Sequence, residues 1–355
     1  MRQDSDRNIQ NTQDNLWTPN RGDGTYKNPI IFADYSDPDL IRWGDAFYLT
    51  ASSFQYTPGL PILKSYNLVD WELIGYALDE IPEDSYDSPR FSCGVWAPAI
   101  RVHDDKVWIF YGMPDEGIFA VWATDPEGAW SEPILIKAGK GLIDPCPIWE
   151  ENGDAYVVHA YAKSRIGFKS VLGIFQFQKN GLPYDGQDKL LFDGHPDQFT
   201  IEGPKIYKRN GYYYILAPAG GVVTGWQLAM RSKSLMGPYE IKEVLHQGQS
   251  SVNGPHPGGL VEDFADKAYF IHFQDKGAYG RICHLQPVLW KDDWPLMGQN
   301  GEPVEGGLIP TGKYDEDRAP LSLQASDSFA GPALGLQWQW SANPPKGAYR
   351  LEDEE

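Results

Sequence analysis

What most constrains this chain is a unit that recurs five times. Short β-forming runs lie at 46–51, 106–111, 155–160, 212–216 and 268–273. Each follows a turn: Gly44-Asp45, Asp104-Asp105, Asn152-Gly153-Asp154, Asn210-Gly211 and Asp266-Lys267. Turn residues set between apolar runs are hairpin signals. Each hairpin is preceded by a Pro or Gly beside an apolar strand: Asp37-Pro38, Ala97-Pro98, Asp144-Pro145, Glu202-Gly203-Pro204 and Gly258-Gly259. These starts are roughly 45–60 residues apart, the spacing of a repeated four-strand unit. After several hairpins a second turn leads to an aromatic, Trp71, Trp130 or Tyr239, whose place suits packing between units. No long helical periodicity competes with this pattern. A β-sandwich would have as many strands without the repeat, so the expected fold is all-β, a five-bladed β-propeller.

Composition narrows the function. Asp and Glu number 49 against 30 Lys and Arg, a net charge of −19. Nucleic acid and anionic membrane surfaces both demand the opposite balance, so neither is expected as a partner. Aromatic residues make up 14% of the chain, too many for an acidic disordered segment. The three cysteines, Cys93, Cys146 and Cys283, are widely spaced, which argues against a disulfide framework or a zinc site. The first residues lack an apolar signal-peptide core, and no run of 18 apolar residues occurs, so a cytoplasmic location is expected.

The repeat also locates the chemistry. The first strand of a propeller blade is innermost, and its start faces the central channel. Three of the five starts carry a carboxylate there: Asp37, Asp144 and Glu202, each with a Pro within two residues. Proline fixes the local backbone and so gives the neighbouring acid a defined direction. Three acids meeting in one pocket repel one another, so at least one must bind its proton more tightly than usual. Carboxylates whose proton affinities are pushed apart are what paired acid and base catalysis needs. Aromatic faces stack on sugars, which makes Trp96 and Phe54 candidate platforms, with Trp226 and Phe168 less secure.

At these residues the chain resembles glycoside hydrolase family 43. The resemblance rests on the segment 28–39, Gly94-Val95-Trp96-Ala97-Pro98, Leu142-Ile143-Asp144-Pro145 and Ile201-Glu202-Gly203-Pro204. Gly280-Arg281, the segment 285–290 and Trp294-Pro295 add to it, and it spans residues 28–310. It implies a five-bladed propeller and an inverting, exo-acting hydrolase of the β-xylosidase and α-L-arabinofuranosidase type. Its substrates would be xylan- or arabinan-derived oligosaccharides. An endo-acting arabinanase and a non-catalytic carbohydrate-binding propeller are the alternatives. By the resemblance, Asp37 is the general base, Glu202 the general acid, and Asp144 the acid that tunes and orients Glu202, while Asp39 is structural. Inversion would set the two working carboxyls about 6.5–9.5 Å apart. Arg281 would contact sugar or a carboxylate. His256 would face the channel, where the resemblance allows a calcium ion; no cofactor is otherwise required.

The domains expected are a polar leader over 1–27, the catalytic propeller over 28–320, and a short tail over 321–355. The tail resembles the start of a β-sandwich. About 35 residues cannot close two packed sheets, which take on the order of 100. The tail is therefore expected either to belong to a larger domain or to pack on the propeller or on a second subunit of a homo-oligomer.

Overall fold

In the computed structural model, residues 18–178, 187–312, 323, 326–329 and 332–351 are described. Five four-stranded antiparallel sheets follow one another along the chain, over residues 39–78, 96–138, 142–193, 205–245 and 256–297. Within each sheet the strands pair in sequence order, so each blade is a meander that starts innermost and ends outermost. The expected five-bladed propeller is what forms. The innermost strands are Asp39–Trp43, Trp96–His103, Leu142–Trp149, Lys205–Arg209 and His256–Glu262.

Burial falls outward along each blade, and the residues explain why. The inner strand Leu142–Trp149 is buried at seven of its eight positions, whereas the outer strand Glu240–Leu245 reads EIKEVL and exposes its first four. Apolar residues from neighbouring blades interdigitate. Phe110 of blade II meets Trp149 and Phe177 of blade III edge-on, with Phe110 and Phe177 centred 5.3 Å apart. Trp71 is 2% exposed, as a packing residue should be.

Closing the ring needs a link between blades I and V, and the segment before blade I supplies it. Strand Thr25–Lys27 pairs with Gly306–Leu308. Asn28 then caps blade V from its edge, donating to the Leu285 carbonyl at 2.9 Å and accepting the Leu285 amide at 2.8 Å. Tyr26 is 2% exposed and donates to the same carbonyl. Within the expected polar leader, residues 18–27 are tied to the ring by one buried tyrosine and a strand pairing. Residues 1–17 of that leader lie outside the described residues.

The described tail runs back along blade I. Thr57 and Trp340 exchange backbone hydrogen bonds, and buried Asn343 bonds both the amide and the carbonyl of Ile81. It forms no strand among the described residues. Most of the stretch at 313–331 lies outside them.

Candidate active site

The site is built where the inner strands begin. In four blades a residue directly before a proline takes a left-handed backbone: Asp37 (φ 54°), Ala97 (φ 34°), Asp144 (φ 56°) and Gly203 (φ 56°). A following proline normally drives a residue toward extended backbone, so this conformation is strained for the three non-glycines. The pairing register also slips between Trp96 and Ala99, between Ile143 and Cys146, and between His256 and Gly258. Such bulges redirect side chains, here toward the axis. Glu202 is offset by one position. Glycine takes the left-handed place after it, so the Glu side chain leaves the backbone one residue earlier than those of Asp37 and Asp144.

These turns line one cavity of about 490 Å³. Seven of the residues singled out in the sequence, Asp37, Phe54, Trp96, Asp144, Glu202, His256 and Arg281, are in its wall. Every blade contributes.

Asp37 is 8% exposed. Its Oδ2 accepts from Ser52 Oγ at 2.6 Å and Ser36 Oγ at 2.8 Å, and Arg281 Nη1 stands 3.4 Å from Oδ1. Arg281 also donates to Ser36 Oγ at 2.7 Å, and its guanidinium lies over the Phe273 ring. One carboxylate oxygen is therefore held by two hydroxyls while the other meets only a long contact. Ser52 in turn accepts the Ala97 amide at 2.7 Å, which locks blade I to the strained turn of blade II.

Asp144 is 5% exposed and accepts the Gly203 amide at 2.8 Å. Burial, reinforced by the negative charges of Glu202 and Asp37, pushes its carboxyl up to about 8, while the Gly203 amide and Lys205 pull the other way. This is the raised acid that the clustered carboxylates required. Glu202, whose charge acts on Asp144, forms an acid pair with it. Glu202 is the pair's more accessible member, with a side chain 28% exposed, and its Oε1 lies 3.0 Å from His256 Nε2.

Asp39 is fully buried away from the cavity. It accepts from Arg101 Nη1 at 2.6 Å and from the Ile100 amide at 3.0 Å, a structural role. The weaker platform candidates do not reach the cavity wall. Trp226 spends its ring on Phe199 and its Nε1 on Gln198, and Phe168 is 47% exposed beside Tyr161. Sequence reasoning missed Gln55, Tyr56, Ser92 and Val222 in the wall, and Ser36 and Ser52 behind Asp37. Lone serines and loop residues carry no spacing signal; only the adjacency of Ser36 to Asp37 pointed that way.

The calcium that the resemblance allows finds a poor donor set. Calcium takes six to eight oxygens. Among the described residues no three His, Cys, Asp or Glu side chains cluster as metal ligands. His256 is 1% exposed, commits Nε2 to Glu202, and leaves Nδ1 buried without a partner. These residues do not fit a protein-built calcium cage.

With this geometry in view, comparison with known proteins is specific. The sequence model described as "Glycosyl hydrolases family 43" matches residues 26–295. A Xylanibacter ruminicola protein provisionally named a β-xylosidase is 36% identical over 340 residues, covering 94% of this chain and 62% of that protein. A non-reducing end α-L-arabinofuranosidase of Bacteroides ovatus is 32% identical, covering 96% of this chain and 66% of its own length. The crystal structure of a family 43 protein from Bacillus licheniformis superposes with a TM-score of 0.79 at 27% identity, over 92% of this chain and 66% of that one. The chain thus spans about three fifths of the length of the first of these relatives. The match runs across the five blades and includes each acid-bearing turn, and the chain belongs to glycosyl hydrolase family 43.

Proposed function

We propose that this chain is an exo-acting glycoside hydrolase that releases terminal xylose or arabinofuranose from xylan- or arabinan-derived oligosaccharides, with inversion. The observation that carries the reading is the meeting of Asp37, Asp144 and Glu202 in one cavity walled by all five blades. The relatives named for β-xylosidase and non-reducing-end arabinofuranosidase activity support the substrate class.

Asp37 acts as general base. Two serine hydroxyls fix one of its oxygens, which leaves the other to take a proton from water. Glu202 acts as general acid and gives the leaving oxygen its proton. Buried Asp144 is the orienting acid: through the Gly203 amide it fixes the turn that aims Glu202. His256 holds the Glu202 carboxyl in place from the next blade. Arg281 braces Asp37 and presents the edge of its guanidinium to the sugar.

Hydrolysis of an aryl β-xyloside and an aryl α-L-arabinofuranoside, measured side by side, tests this. Asp37→Asn should lose on the order of 10³-fold in kcat on both while keeping the wild-type circular dichroism spectrum. Glu202→Ala should recover in part on the better leaving group, which needs little protonation. Full activity in a folded Asp37→Asn protein would overturn the assignment.

A further inference from the structure

Two residues of the cavity wall, Ser92 and Trp96, stand just before and at the start of the inner strand of blade II. Neither is secured there by a side-chain hydrogen bond of its own. The Trp96 indole Nε1 is buried without a partner, so nothing polar on the ring fixes its tilt. The Ser92 backbone is left-handed, at φ 59°. Both residues instead meet one side chain from the neighbouring blade. Arg165 stands in the short helix Lys163–Ile166 of blade III, and its guanidinium lies 5.5 Å from the centre of the Trp96 ring. The same guanidinium donates to the Ser92 carbonyl.

Arg165 is itself anchored from a third direction. Its Nε and Nη2 reach the two oxygens of Asp115 at 3.2 and 3.3 Å, a fork-on-fork pairing. Nη1 bonds Ser164 Oγ at 3.0 Å. Asp115 also has Arg90 at 3.6 Å and Lys140 at 3.8 Å; burial pushes its carboxyl up, but hydrogen bonds from Arg165 and the Cys93 thiol, with the charges of Arg165 and Lys140, hold it below the usual range. The Arg165 side chain is 15% exposed. With donors on all three nitrogens committed to protein, the guanidinium is placed to shape the wall rather than to bind a hydroxyl.

We propose that Arg165 is a positioning residue for substrate binding: anchored on Asp115, it holds the Trp96 ring and the Ser92 backbone so that this wall of the cavity is preformed. The inference deepens the proposed function and rests on it in one respect, that the ligand is a pentose-containing oligosaccharide. A preformed aromatic wall spares the ligand the cost of ordering it, so the gain appears in binding. A cationic side chain over a tryptophan face is also an attraction that a shorter cation retains in part.

The test measures binding and turnover in parallel on the full chain. Calorimetric titration with xylobiose is done on Asp37→Asn and on Asp37→Asn combined with Arg165→Ala or Arg165→Lys. Turnover of the same sugar is followed in the single Arg165 variants. Arg165→Ala should weaken binding on the order of tenfold, with KM rising more than kcat falls, and Arg165→Lys should recover part of the loss. Asp115→Asn, which keeps the side chain's shape and frees the guanidinium, should move KM in the same direction. Unchanged affinity in a folded Arg165→Ala protein would overturn the proposal. So would an equal loss in the Lys and Ala variants, or a loss confined to kcat. Xylobiose binding to Asp37→Asn without turnover by the wild type would contradict the hydrolase reading and leave the Arg165 comparison standing. Binding to Asp37→Asn of neither xylobiose nor an arabinofuranosyl disaccharide would contradict both.

Discussion

Three carboxylates in one pocket do not share it equally, and the difference lies in what surrounds each. Asp37 meets hydroxyl donors and Arg281; Asp144 meets burial and two negative neighbours. The sign of the consequence can be worked out. The folded Asp144 carboxyl titrates near 8 against an ordinary value of 3.8, so the native state binds its proton more tightly than the unfolded chain does. Its stability contribution is therefore intact below the ordinary value and is lost as pH rises toward the folded one. Asn does not titrate. The melting temperature of Asp144→Asn, relative to wild type, should thus rise between pH 4 and pH 8 while hydrolysis falls. A difference in melting temperature independent of pH would contradict the raised carboxyl. All three acids were legible in the sequence because each stands within two residues of a proline at a repeat start. The serines behind Asp37 and the clamp of Arg165 on Trp96 were not. They depend on which loops meet across blades, and spacing along one chain does not encode that.

At the scale of the element, the blade entry is what turns a repeated strand into a site. A regular inner strand would alternate its side chains between faces; a left-handed residue, a bulge or both at the entry break that alternation and re-aim the side chains. The sequence showed the recurrence but not the offset at Glu202, because the pattern of proline alone does not reveal which residue turns left-handed. Gly94 is the companion case. It has φ 81°, and a Cβ there would run into the Phe54 carbonyl, at the bridge that joins Phe54 to Val95. Gly94→Ala should cost on the order of 1–3 kcal/mol in chemical denaturation. Because Phe54 moves with that bridge, KM should rise as well. A stable Gly94→Ala protein with wild-type KM would show that the close approach matters neither to the fold nor to the wall.

For the whole molecule, five blades must close into a ring, and the closure is carried by residues that look unremarkable in sequence. Tyr26 lies in a polar stretch, yet it is 2% exposed and clamps blade V through the Leu285 carbonyl. Tyr26→Ala should lower stability by about 3 kcal/mol or more, read as a lower denaturation midpoint. A change below about 0.5 kcal/mol, the size usual for surface substitutions, would mean the closure lies elsewhere. The acidic balance that first excluded nucleic acid has a local meaning too, since a ring directs one face of every blade to a common axis and so gathers acids that are far apart in the chain. The stereochemistry of the product tests that arrangement most directly. With xylotriose as substrate, proton NMR at early times should show α-xylose and xylobiose, the products of single displacement at a chain end by a water that Asp37 activates. β-Xylose as the first sugar released, or no terminal pentose released from either xylotriose or an arabinofuranosyl oligosaccharide, would contradict it.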